Sequence, residues 1–131
     1  MQLTIALCAT ILASAIKAAP SLLPRETFPL VTVSITDDLT GANAAVTVLS
    51  DGLARNLTTF FQGTAIDQQG AIFGTSAQLI NFTPKTHCFF QNYNHIIQFN
   101  GKDKTFVDLD RNADQAIPIQ LNGFNLQCSE R

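Results

Sequence analysis

The tightest constraint on this fold is an apolar/polar alternation of period two that recurs along the chain. Leu30-Val31-Thr32-Val33-Ser34-Ile35-Thr36 puts Val31, Val33 and Ile35 on one side and Thr32, Ser34 and Thr36 on the other. Successive side chains of a strand point to opposite faces, so the pattern suits a strand with one face buried. Asp37 to Gly41 reads as a turn, and Ala44 to Ser50 as a second strand stopped by Asp51-Gly52. Ala71 to Phe82 is a longer extended stretch with Gly74 as a bulge, followed after Pro84 by Thr86 to Tyr93. His95 to Asn100 and Thr105 to Asp110 flank Gly101-Lys102-Asp103-Lys104, which reads as a hairpin turn. Ile117 to Leu121 and Phe124 to Cys128 flank Asn122-Gly123, the strongest short turn signal in the chain. Short strands separated by turn residues at intervals of about 8–12 residues predict one all-β domain. The expectation is a sandwich or barrel of about seven or eight short antiparallel strands. Residues 51–63 admit two readings. Leu53, Leu57, Phe60 and Phe61 lie at helical spacing and predict a short helix over 52–62, whereas Thr58-Thr59-Phe60-Phe61 favours a strand.

The N-terminus carries a different signal. Leu3 to Ile16 is an uncharged apolar run that ends among Ala13, Ser14, Ala15, Ala18 and Ala19. An apolar core followed by small residues is what signal peptidase cleaves, although no Lys or Arg precedes this one. The run is too short to cross a bilayer, which takes roughly 20 apolar residues. Residues 1–18 are therefore expected to be a leader, cut after Ala15 or Ala18. Pro20, Pro24 and Pro29 mark 19–29 as a tail or as a short propeptide cut after Arg25. The domain proper is expected over 30–131. Nothing at the C-terminus resembles a lipid anchor or a retention signal, so the expected destination is extracellular and the expected state is a released monomer.

Charge narrows the partners. Of eight Lys and Arg, Lys17 and Arg25 precede Glu26, leaving six against ten Asp and Glu. The basic residues are scattered, which argues against nucleic acid and against anionic membranes as partners.

With Cys8 in the leader, Cys88 and Cys128 remain. In an oxidising compartment two lone cysteines most simply pair, closing a 40-residue loop. The rival reading, a zinc or catalytic thiol, has only His87 and His95 to draw on, and His87 adjoins Cys88, so on a strand the two face opposite ways. Asn56-Leu57-Thr58 and Asn81-Phe82-Thr83 are acceptor triplets for N-glycosylation, the second followed at once by Pro84.

Phe is the main bulky side chain, ten in all with no Trp. Phe60-Phe61 and Phe89-Phe90 are adjacent pairs, and on a strand each pair sends one ring to each face. Either both faces are covered, or an outward ring marks a binding patch. Tyr93 between Asn92 and Asn94 is the local candidate for a sugar platform. Asp108, Asp110, Asn112 and Asp114 repeat oxygen-bearing side chains at every second position, like the first half of a calcium loop. Ala113 stands where the sharp turn wants Gly, and Ile119 where a bidentate Glu is needed, so a solvated acidic turn is the plainer reading. No Gly-x-Ser-x-Gly elbow, paired-carboxylate cleft or Gly-rich phosphate loop is present. Neither catalysis nor a cofactor is expected.

The leader, the Pro-bearing tail, Thr36-Asp-Asp-Leu-Thr-Gly-Ala-Asn43, Ser50-Asp-Gly-Leu-Ala-Arg55 and Thr75-Ser-Ala-Gln-Leu79 resemble the layout of small secreted proteins of ascomycete fungi, many of them candidate effectors. The resemblance implies a non-enzymatic virulence-associated protein that binds a host protein or a cell-wall component. A structural or carbohydrate-binding wall protein is the alternative.

Overall fold

The structure is a computed structural model that describes residues 27–112 and 114–130. The predicted leader lies outside the described residues, as does the tail except for its last three residues. The described chain is all-β. Its elements are β1 (Leu30–Asp37), β2 (Ala42–Leu49), β3 (Arg55–Asn56), α1 (Leu57–Phe60), β4 (Asp67–Gln68), β5 (Ala71–Gly74), β6 (Ser76–Asn81), β7 (Thr86–Asn92), β8 (His95–Asn100), β9 (Phe106–Asp108), β10 (Ile119–Gln120) and β11 (Asn125–Glu130). They form two four-stranded sheets, β9-β6-β1-β2 and β3-β11-β7-β8, and a small sheet β10-β5-β4. Every pairing is antiparallel.

One core joins them. Val31, Val33, Ile35, Val48, Ala77, Leu79 and Val107 face inward from the first sheet, and Cys88, Phe90, Ile97, Phe99, Leu126 and Cys128 from the second. Phe90 and Phe99 stack with ring centroids 5.0 Å apart. Each large side chain withdrawn from water in this way contributes about 1.5–3 kcal/mol. The alternation read at Leu30 to Thr36 is the burial pattern of β1, whose odd-numbered residues from Val31 to Asp37 are all buried.

Several local expectations need correction. Eleven short strands, rather than seven or eight, are present among the described residues. The stretch 71–82 is two strands in two different sheets. Gly74 ends β5, and a Cβ there would lie 2.5 Å from Ile35 Cγ2. Buried Thr75 makes the switch. Its N–H donates to Thr36 O (2.8 Å), its Oγ1 donates to Asp38 Oδ2 (2.6 Å), and its carbonyl accepts from Leu109 N (2.7 Å). Gly74-Thr75-Ser76 is therefore a hydrogen-bonded crossover between sheets.

Neither predicted hairpin at 95–110 or 117–128 forms. Asn100 N donates to Lys104 O (2.8 Å), so a turn is made, but the chain then crosses and β9 pairs with β6. Asn122-Gly123 also turns the chain, yet β10 pairs with β5 and β11 with β7 and β3. Asn122 acts over long range instead. Its Oδ1 accepts from Ile72 N (2.9 Å), and its Nδ2 donates to Gly70 O (2.9 Å) and Thr58 Oγ1 (3.1 Å). The hairpins are β1–β2, β4–β5 through Gln69-Gly70, and β7–β8 through Tyr93-Asn94.

The helix expected over 52–62 shrinks to Leu57–Phe60, capped by Asn56, whose side chain accepts from Thr58 N. The preceding residues are held by Asp51, which takes a bidentate contact from Arg55 (2.7 and 2.8 Å). That guanidinium holds the Asp51 carboxyl down to about 2.

Candidate functional site

Cys88 and Cys128 are directly opposed on β7 and β11 and joined by a disulfide, their Cα atoms 4.1 Å apart. Both are buried. The bridge closes a loop with a separation of 40 residues. In the chain-entropy account such a loop is worth about 4 kcal/mol.

Residues that alternate with the bridge point to the other face of the same sheet. Their register sets three cross-strand rows: Asn56, Asn125, Gln91 and Ile96; then Gln127, Phe89 and Gln98; then Ser129, His87 and Asn100. Phe89 sits in the middle, half-buried. No Asp, Glu, Lys or Arg stands in any row. Gln127 Nε2 donates to Asn125 Oδ1 (2.9 Å) and Gln91 Oε1 (3.3 Å), and Gln91 Nε2 donates to Tyr93 O (3.0 Å). A cavity of about 170 Å³ opens on this face between His87, Phe89, Ile96, Gln98 and Asn100.

The aromatic candidates therefore separate. Phe61 and Phe90 belong to the core, and Phe60 packs partly buried against it. This corrects the place of Phe61 and Phe90 among binding-patch candidates, because removing those rings from water stabilises the fold. The Phe89-Phe90 pair sends one ring to each face, while Phe60-Phe61 ends a helix. Tyr93 is 90% exposed at the tip of the β7–β8 hairpin, with φ +55.

The acidic turn gathers as a cluster. Asp108, Asp110, Asn112 and Asp114 line a second cavity, of about 350 Å³, together with Asp38 from the β1–β2 turn and Phe106. The sheet brings the two loops to one end because β9 pairs with β6 and β6 with β1. Asp110 and Asn112 turn their oxygens to backbone N–H groups. Asp110 accepts from Asn112 N (3.1 Å) and Ile117 N (2.8 Å), and Asn112 Oδ1 accepts from Asp114 N (3.0 Å) and Gln115 N (3.1 Å). Asp38 accepts from Thr75. Burial first, then the hydrogen bond and charge of Asp110 and the charge of Asp38, push the Asp108 carboxyl above its ordinary range. The N–H of Ile117 leads the groups that hold Asp110 below it. Of the pair, Asp108 thus keeps its proton longer than Asp110. Among the described residues no group of three or more His, Cys, Asp or Glu side chains is arranged to hold a metal ion.

Both glycosylation candidates, Asn56 and Asn81, are exposed. Asn56 stands in the first amide row, and Asn81 ends β6 opposite Thr32. The amide face itself escaped the sequence reading. Its members are spread from Asn56 to Ser129, and only the pairing of four strands brings them together. The available signal was the polar half of each alternation: Gln91 beside Phe90, Gln98 beside Phe99, Gln127 beside Cys128. Among the described residues no helix is long and apolar enough to cross a membrane. No protein-family model, curated protein or solved structure matches the chain.

Proposed function

We propose that this chain is a secreted, non-enzymatic effector-like protein that acts by binding a host or cell-wall target. The observation that carries the reading is the buried Cys88–Cys128 bridge, because structural disulfides persist in oxidising, extracellular surroundings. The bridge backs the outward rows centred on Phe89, so the same covalent tie that favours export also stiffens the candidate contact surface. Binding without turnover fits this surface. Its side chains are amides, a phenyl ring, one aliphatic chain, a hydroxyl and one imidazole, and no nucleophile there is hydrogen-bonded to a base.

The experiment is to recover the naturally produced protein from culture medium, read its N-terminus by mass spectrometry, and apply the disulfide-intact form to host tissue. The reading expects a mature chain lacking residues 1–18 and a host response that the reduced, alkylated form fails to elicit. Retention of the leader, or deletion of the gene with no change in host interaction, contradicts it. A structural or carbohydrate-binding role in the wall is the second reading, favoured by the uncharged amide rows.

A further inference from the structure

We propose that the outer face of the β3-β11-β7-β8 sheet, centred on Phe89, is a binding site for a neutral polysaccharide chain. The inference rests on the binding reading above and names its ligand class. Three properties of the face carry it.

The first is charge. The three rows contain no Asp, Glu, Lys or Arg, so they offer an anionic polymer no counter-charge and a cationic one no carboxylate. The face differs in this from the Asp38–Asp114 end of the molecule.

The second is hydrogen-bonding character. Asn56, Asn125, Gln91, Gln127, Gln98 and Asn100 are carboxamides, each both donor and acceptor. Among the described residues the Gln98 amide and the Nδ2 groups of Asn56, Asn100 and Asn125 have no protein hydrogen bond. The mutual bonds of Gln127 with Gln91 and Asn125 hold their neighbours in place. A ligand dense in hydroxyls, each likewise donor and acceptor, matches such a surface group for group.

The third is shape. Phe89 lies half-buried between Gln127 and Gln98, with Ile96 exposed beside the cavity. A flat apolar ring flanked by amides suits the apolar face of a sugar ring, with its equatorial hydroxyls directed at the amides. At Phe89 three strands spaced about 4.8 Å apart make a strip roughly 10 Å wide, and Asn56 on β3 widens it by one strand at the first row, broad enough for a short run of sugars.

The test uses secreted, disulfide-intact protein and measures its retention on insoluble chitin and on insoluble β-glucan, at low and high salt. The variants are Gln98→Ala combined with Gln127→Ala, and Phe89→Leu, which keeps bulk but loses the flat ring. Gln78→Ala on the other sheet is the control, and circular dichroism verifies the fold of each. The expected result is retention on at least one polymer, insensitive to salt. It falls by about tenfold or more in the double variant, since two hydrogen bonds of about 1 kcal/mol each are removed, and stays unchanged in the control. Retention on neither polymer overturns the proposal, as does retention that survives the double variant or that is released by salt. An intact host response without polysaccharide binding contradicts this inference alone, whereas polysaccharide binding without a host response contradicts only the effector reading.

Discussion

The two four-stranded sheets share a core but differ outside it. The outer face of β9-β6-β1-β2 is mostly hydroxyls and aliphatic side chains, with two carboxamides, Asn43 and Gln78, the latter opposite Phe106. Thr32 and Thr47 hydrogen-bond across it (2.9 Å), and Leu30, Leu49, Ile80 and Phe106 stand exposed. It has no covalent tie, and β1 and β2 stay in register over all eight residues of each. The outer face of β3-β11-β7-β8 is amide-rich around one phenyl ring, and its two central strands are linked by the disulfide. The difference separates two ways of stabilising a sheet. Long continuous pairing suffices for the first, whereas the second is stapled and presents the polar surface that the proposed function uses.

The largest expected effect breaks the staple. Cys88→Ala together with Cys128→Ala should lower unfolding free energy by about 4 kcal/mol, as measured by denaturant titration. Out of a total of about 5–15 kcal/mol, that loss is a large share of the stability of the molecule. Native-state hydrogen exchange sharpens the comparison: β7 and β11 should lose protection before β1 and β2 do. Equal loss in both sheets would show that the bridge stabilises the whole core and not its own sheet.

Next in size is Gly101→Ala, just beyond β8. A Cβ there runs into the backbone carbonyl oxygen of Thr83 and lies 2.8 Å from Phe82 Cδ2. Backbone cannot step aside as a side-chain end can, so the cost should be about 1–3 kcal/mol, read as a lower denaturation midpoint. An unchanged midpoint would mean that the loop carrying Thr83 moves freely against this sheet.

Acid should act on the two ends of the molecule with opposite sign. Asp51, held down to about 2 by Arg55, binds its proton less readily folded than unfolded. Its contribution is complete above its ordinary 3.8 and is lost as pH falls toward 2. Asp108 is raised, so its contribution is present below the ordinary carboxylate value and lost as pH rises through the raised one. Arg55→Met should therefore flatten the acid limb of a melting-temperature profile, and Asp108→Asn should raise the melting temperature at neutral pH. The reverse sign for either variant would contradict the assignments. The smallest effect belongs to the Thr32–Thr47 pair. Replacing both with Val should change stability by less than about 1 kcal/mol, because exposed cross-strand pairs contribute only that much.

Much of the fold was legible because half-buried strands write their burial directly into the alternation, as in β1, β7 and β8. The disulfide was legible because Cys88 and Cys128 are the only cysteines past the apolar N-terminal run. Connectivity was harder. Asn122-Gly123 carries a hairpin signal, but Asn122 is used to satisfy Ile72 N and Gly70 O from far along the chain, and no local pattern reports that. The acidic turn looked like half of a cation loop because Asx side chains that bind backbone N–H groups recur at the same two-residue spacing. The amide rows needed the register of four strands, so only the parting of the Phe89-Phe90 pair between two faces could be anticipated.

Mass spectrometry of the naturally produced protein, alkylated before and after reduction, tests the central claim most directly. The account predicts no alkylated cysteine before reduction and two, Cys88 and Cys128, after it. Two thiols that react freely in the unreduced protein would contradict it.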